Sequence, residues 1–241
     1  MSPDRITRRE YKHGRTAYAF QWNQEHHENL GAEGGDLASL WAHLTLILSG
    51  KIPEEVFTDP FYTRASKLKL VKMSSVKKVR LRKRFMNHGT LVRSIEDPVT
   101  EKIREYHRAI DDNSYNADHS ILQSFLTEDP QTIAIEVPVW SDRYKITGHI
   151  DLIRWDGDHL QICDYKPGPL GSLPNRFMES LPQISAYGEM MTHHLAGTLH
   201  SALDSNLLPN VSCCVFDSHS CWHFGSELFL TLQTTGLLDG L

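Results

Sequence analysis

The stretch Gly148-His149-Ile150-Asp151, followed by Cys163-Asp164-Tyr165-Lys166, decides how this chain is read. Two carboxylates and a lysine stand on two short apolar runs joined by Trp155-Asp156-Gly157-Asp158. Asp-Gly between alternating apolar residues is a strong hairpin signal. With Asp156-Gly157 as a two-residue turn, Trp155 faces Asp158, Ile153 pairs with Leu160, Asp151 with Ile162, His149 with Asp164, and Thr147 with Lys166. Residues directly opposite, or two apart on one strand, share a face. Asp151, Asp164 and Lys166 therefore project to one side, with the acids diagonal neighbours roughly 7 Å apart at the backbone. Carboxylates at that separation repel unless a cation lies between them, and a hard divalent ion such as Mg²⁺ is the natural occupant.

Working outward, strands are expected over 133–140, 144–155 and 158–166, forming an antiparallel meander. Pro138 demotes the first of these to an edge position or a bulge. Ser180 and Pro182 open a helix to about residue 195, which places Gln183 and Tyr187 on one face. A last strand or hairpin covers 211–216 and 221–224 ahead of a short C-terminal helix. Upstream, residues 1–62 read as mostly helical, with Asp36 capping a helix over 37–48 that Ser49-Gly50 ends. Asp97 caps a helix running to about 110, with Pro98 in its first turn. Residues 111–119 read as loop, and 121–126 as a short helix. The order of elements predicts an α+β fold: a central mixed sheet with a three-stranded antiparallel meander, flanked by helices, behind a helical N-terminal region.

The chain has 241 residues, with 25 Lys and Arg against 30 Asp and Glu, a net charge of −5. Its charge is unevenly spread. Residues 64–84 hold ten basic side chains (Arg64, Lys67, Lys69, Lys72, Lys77, Lys78, Arg80, Arg82, Lys83, Arg84) and no acidic one. A polyanion laid along such a run relieves its self-repulsion and releases counterions. No apolar run approaches the ~20 residues that span a bilayer, so no membrane partner is expected. The charged N-terminus has no apolar segment behind it, and the four cysteines (Cys163, Cys213, Cys214, Cys221) avoid the first 162 residues. The pattern is unlike a disulfide framework or a secretory signal, and points to an intracellular, cytoplasmic or DNA-associated setting.

Taken in order, Glu136, Gly148-x-x-Asp151, Asp164-x-Lys166 and Gln183-x-x-x-Tyr187 resemble the core of the PD-(D/E)XK nucleases, a restriction-endonuclease-like fold. The likeness is to the RecB-type group in particular, and spans about residues 133–191. It implies that Asp151, Asp164 and the main-chain carbonyl of Tyr165 hold Mg²⁺ or Mn²⁺. Lys166 would hold the attacking water and stabilise charge on the scissile phosphate. Gln183 and Tyr187 would orient the lysine and touch the substrate backbone, with Glu136 beside them. The group also carries an upstream histidine ligand, usually in Gly-x-x-x-His. The best match here is Ser39-Leu40-Trp41-Ala42-His43, with Ser in place of Gly, and His88 and His149 are rivals. Many CRISPR-associated members hold an iron–sulfur cluster with one cysteine upstream of the core. This chain has none there, so no such cluster is expected. The resemblance divides the chain into an N-terminal region (1–130, with the basic segment), a nuclease core (131–225) and a C-terminal helix (226–241).

The implied activity is metal-dependent hydrolysis of DNA phosphodiester bonds, as an exonuclease on single-stranded or end-exposed DNA. Two alternatives stay open: a non-catalytic DNA-binding subunit of a recombination, CRISPR or transposition complex, and a restriction-type endonuclease.

Overall fold

The computed structural model describes residues 5–14, 16–34, 37–110, 118–167, 176–198 and 208–240. In chain order its elements are β1 (Ile6–His13), β2 (Thr16–Asn23), α1 (Gln24–Gly34), α2 (Ala38–Ser49), β3 (Thr63–Arg64), β4 (Lys69–Leu70), α3 (Ser75–Asn87) and β5 (Leu91–Ser94). They continue with α4 (Pro98–Ile110), α5 (Asp118–Glu128), β6 (Thr132–Ser141), β7 (Ile146–Trp155), β8 (His159–Tyr165) and α6 (Arg176–Thr198). The last are β9 (Asn210–Phe216), β10 (Cys221–Gly225), α7 (Leu228–Thr234) and β11 (Leu238–Asp239).

A nine-stranded mixed sheet runs in the order β1-β2-β6-β7-β8-β9-β10-β5, with β3 joined to β7 off that path. The β6–β7–β8 meander is antiparallel, whereas β9 returns parallel to β8. The fold is thus α+β, as the sequence predicts. One sheet face packs on α6 through Ile150, Ile153, Ile162, Val215, Met178 and Ile184. The other packs on α4 and α5 through Leu152, Cys163, Cys214, Phe216, Ile103 and Phe125. Burying a side chain of this size contributes ~1.5–3 kcal/mol, so these two layers hold the sheet between helices.

The start of the chain corrects the helical expectation. The strands β1 and β2 pair antiparallel, and β2 joins the sheet through Gln21–Ile135 and Trp22–Ala134. The physical reason is legible afterwards. Tyr11, Phe20 and Trp22 are buried, and aromatic side chains favour strands. Gly14, at φ +68°, supplies the left-handed residue of the turn. The end of the chain departs too: the C-terminal helix is only seven residues long, and β11 pairs with β4 after it. The helix expected over 37–48 is α2, closed by Gly50 at φ +71°. Asp36, its expected cap, and residues 111–117 of the expected loop lie outside the described residues. The helix expected from Ser180 begins earlier, so that Pro182 sits inside α6.

The hairpin register also needs correction. Trp155 pairs with Leu160, and Leu152 with Cys163, two residues from the expected alignment. The loop is longer because Asp156 caps it. Its carboxylate accepts the amides of Asp158 (2.9 Å) and His159 (2.7 Å), and Gly157 takes φ +106°. A slip of two residues keeps every side chain on its face. One step beyond the Leu152–Cys163 pair, Asp151 stands opposite Asp164 rather than diagonal to it.

Candidate active site

The β7–β8 ladder stops at Leu152–Cys163. Upstream of Asp151, β7 pairs with β6 on one side and with β3, in parallel, on the other. The sheet splits at the acids and leaves a cleft. The apolar alternation breaks at the same level. Ile150 and Val137 face α6, while their strand neighbours Leu152 and Ile135 face α4 and α5. Glu136, the residue opposite this break, has φ +53°, a left-handed conformation uncommon for a side chain with a Cβ. The register of β6 against β7 shifts between Thr132 and Ala134, so the bulge does not fall at Pro138, which lies instead where β6 is an edge, the other expectation for it. Pro138 pairs with His149, beyond the two residue pairs that join β2 to β6.

Asp151, Asp164 and Lys166 come together as the sequence predicts. Lys166 Nζ lies 2.6 Å from Asp164 Oδ2. Asp151 Oδ2 accepts the Tyr165 backbone N–H at 3.2 Å, which brings the Tyr165 peptide to the cluster. Burial, then the charge of Asp164, pushes the Asp151 carboxyl well above the usual range, and Glu136 adds to the effect. Burial raises Asp164 too, against the pull of Lys166. Three carboxylates sharing one lysine make a site where a divalent cation relieves both repulsion and desolvation. Asp151, Asp164 and the Tyr165 peptide fit such an ion, since oxygen donors suit Mg²⁺ or Mn²⁺.

Gln183 and Tyr187 share a face of α6 near the two acids, as their spacing predicts. Gln183 Nε2 donates to the Tyr187 hydroxyl at 3.0 Å. The Tyr187 ring lies against the backbone of Gly148, beside Asp151. A cavity of about 260 Å³ is lined by Tyr18, Arg64, Ser66, Glu136, Gly148, His149, Asp151 and Tyr187.

The histidine expectation does not assemble. His43 on α2 is buried against His194 (ring centroids 4.5 Å apart) and Trp140 (5.9 Å). Burial holds its imidazole well below the ordinary value, with His194 contributing. Among the described residues, no histidine joins Asp151 and Asp164 in a set of three ligand atoms within 4.8 Å. His88 is exposed at the end of α3. His149 does line the cavity, but its Nε2 meets His13 Nδ1 at 2.9 Å and its ring stacks on Tyr18. Burial, then the charges of His13 and Arg64, pulls its pKa down to about 2.

Two lining residues were not placed at the site by sequence. Tyr18 comes from the N-terminal hairpin, and its hydroxyl accepts from Arg64. Arg64, the first member of the basic run, sits on β3 beside β7 and separates from the rest. The remainder of the run is divided between turns and α3, where Lys77, Arg80, Lys83 and Arg84 are exposed. Lys78 of α3 reaches Glu179 of α6 at 3.4 Å, so the basic helix borders the helix that carries Gln183.

Among the described residues, no helix is long and apolar enough to cross a membrane. A search of curated proteins finds no match. The family model described as the PD-(D/E)XK nuclease superfamily matches residues 64–208, well beyond the 133–191 of the motif resemblance and taking in Arg64, α3, the split sheet and α6. With more than half its length matched and the Asp151, Asp164, Lys166 cluster at the sheet break, the chain belongs to the PD-(D/E)XK nuclease superfamily.

Proposed function

We propose that this chain is a metal-dependent deoxyribonuclease of the RecB-type group, an exonuclease on single-stranded or end-exposed DNA. The observation that carries this reading is the meeting of Asp151 and Asp164 on adjoining strands with Lys166 on Asp164. A phosphodiester is anionic and repels hydroxide. A divalent ion held by Asp151, Asp164 and the Tyr165 carbonyl would supply positive charge to the phosphoryl oxygen and lower the pKa of water in the site. Lys166 holds the attacking water and offsets charge gathering on phosphorus. Tyr187, fixed by Gln183, orients the lysine and contacts the strand. Arg64 binds the adjoining phosphate, and Glu136 orders water at the cleft wall. The exposed cations of α3 take up the DNA backbone beyond the cleft.

Support for a single strand comes from the cleft itself. The β1–β2 hairpin walls one side, and the space beside Asp151 is about 260 Å³. A space of that size favours a single strand over an intact duplex.

The test uses 5′-labelled single-stranded and duplex DNA, with Mg²⁺, Mn²⁺ or EDTA. Stepwise shortening of the single strand with either ion, lost in EDTA and in Lys166→Ala with binding retained, is the expected result. DNA binding without cleavage under any ion would leave a binding subunit and reject the enzyme. Nicking of closed plasmid would favour a restriction-type endonuclease.

A further inference from the structure

The sheet carries a second group of potential ligands on its other face. His223 of β10 stands opposite Cys214 of β9, and Cys221 is two residues back, so all three share one face. Asp97, immediately before α4, reaches over that face. Its Oδ2 lies 2.7 Å from His223 Nε2, while its Oδ1 accepts the Val99 amide at 3.1 Å. One ligand atom each from Asp97, Cys221 and His223 falls within 4.8 Å of the others. Cys214 lies diagonal to Cys221 across the β9–β10 pair and stands opposite Cys163 on β8.

We propose that Asp97, Cys214, Cys221 and His223 form a structural Zn²⁺ site. Buried cysteines alone are ordinary core. A carboxylate and an imidazole folded against them, beside Val99, Ile103 and Phe216 and on the face that also carries the buried Arg154 and Gln161, are not. Zinc takes four ligands in a tetrahedron at roughly 2.0–2.3 Å, which sets neighbouring donors a little under 4 Å apart. The ligand atoms of Asp97, Cys221 and His223, within 4.8 Å of one another, stand near that spacing, and Cys214 on the neighbouring strand must turn toward them to complete the set. Thiolate and imidazole donors select a borderline-soft ion, where the acid pair selects a hard one. The Val99 amide fixes the Asp97 carboxylate with Oδ2 aimed at the site, as an outer partner orients a metal ligand. His223 is partly exposed and lines a surface cavity with Asp156, His159 and Gln161, which provides an entry path. Binding deprotonates the two thiols and releases their protons. The ion ties residue 97 to residues 214–223, far apart in sequence, and so strengthens the α4 side of the sheet. None of this depends on the nuclease reading.

The test is a Co²⁺ titration of the full, reduced chain after chelation, read by absorption. One equivalent giving a thiolate-to-cobalt charge-transfer band with tetrahedral d–d bands, both bleached by Zn²⁺, is expected. Asp164→Asn should leave the band intact, whereas Cys221→Ser should abolish it. If Cys221→Ser fails to fold, His223→Asn at its partly exposed position serves instead, with weaker retention and displaced d–d bands. No thiolate band in wild type, or a band unchanged in the variant that folds, overturns the proposal.

Discussion

The Tyr187 ring occupies the space where residue 148 would carry a β-carbon: a Cβ on Gly148 would sit 2.2 Å from Tyr187 Cε1. Since the contact is with a buried ring rather than a flexible side-chain end, one of the two must shift. Gly148→Ala should displace Tyr187 and its bond to Gln183, at ~1–3 kcal/mol of overpacking. Denaturant unfolding measures that loss, and cleavage should fall further than stability does. Wild-type cleavage in Gly148→Ala would refute a role for Tyr187 beside Asp151.

Asp151 is raised by burial and by Asp164, so in the metal-free protein its contribution to stability is lost as pH rises from the carboxylate range toward its folded value. Asp151→Asn removes that cost and keeps an acceptor for the Tyr165 amide. It should stabilise the metal-free chain by roughly 0.5–2 kcal/mol while ending cleavage. Wild type should in turn gain about 2.7 kcal/mol at a hundred-fold excess of Mg²⁺ or Mn²⁺ over Kd, and the variant far less. Thermal melts with and without ion read both effects. Equal gains in the two proteins would remove the acid pair as the binding site.

Arg154 is buried between Asp129 (Nε to Oδ2, 2.8 Å), Gln161 (2.9 Å) and Gln131 (2.8 Å). Burial alone would raise the Asp129 carboxyl, but Arg154 holds it below the usual range. Asp129→Ala strands the guanidinium and should cost ~3–5 kcal/mol. Asp129→Ala with Arg154→Met should recover part of that. A double-mutant cycle in urea with no coupling would refute the network.

His27 fixes an acid limit. Its Nδ1 accepts from Trp22 Nε1 at 3.2 Å, and Nε2 bonds the Leu37 carbonyl at 3.1 Å, so the ring is neutral with hydrogen on Nε2. Burial lowers its pKa to about 4. The unfolded chain therefore takes the proton first. The stability present above the unfolded value, about 6.5, is lost as pH falls toward 4, at about 1.4 kcal/mol per unit. His27→Gln should flatten this limb of the stability profile. An unchanged slope between those pH values would dismiss His27 as its source.

The exposed cations of α3 carry a salt signature. Replacing Lys77, Arg80 and Lys83 by Gln should weaken single-strand binding. It should also reduce the slope of log K against log salt by about 0.7 for each phosphate no longer neutralised. A variant with wild-type affinity and slope would show that DNA passes elsewhere.

The cluster of Asp151, Asp164 and Lys166 was legible because it is built from neighbouring strands. A turn and two short strands carry Asp151, Asp164 and Lys166, and an error of two residues in register leaves faces unchanged. Gln183 and Tyr187 followed from helical spacing. The Tyr18–Arg64 wall was hidden because it depends on a pairing between β2 and β6 more than a hundred residues apart in sequence. Local pattern favoured helix over 1–62 while a distant strand determined otherwise. His43 illustrates the converse. It lies on a helix of the expected extent, yet the packing of α2 against α6 turns its ring to His194.

The hairpin that walls the cleft also finishes one border of the sheet. Its outer strand exposes Arg8, Glu10 and Lys12 in alternation, and the strand at the opposite border, Leu91–Ser94, is four residues long with Arg93 exposed. A charged rim and a short one are poor templates for a strand from another molecule. The wide sheet thus ends in two borders that discourage strand pairing between copies.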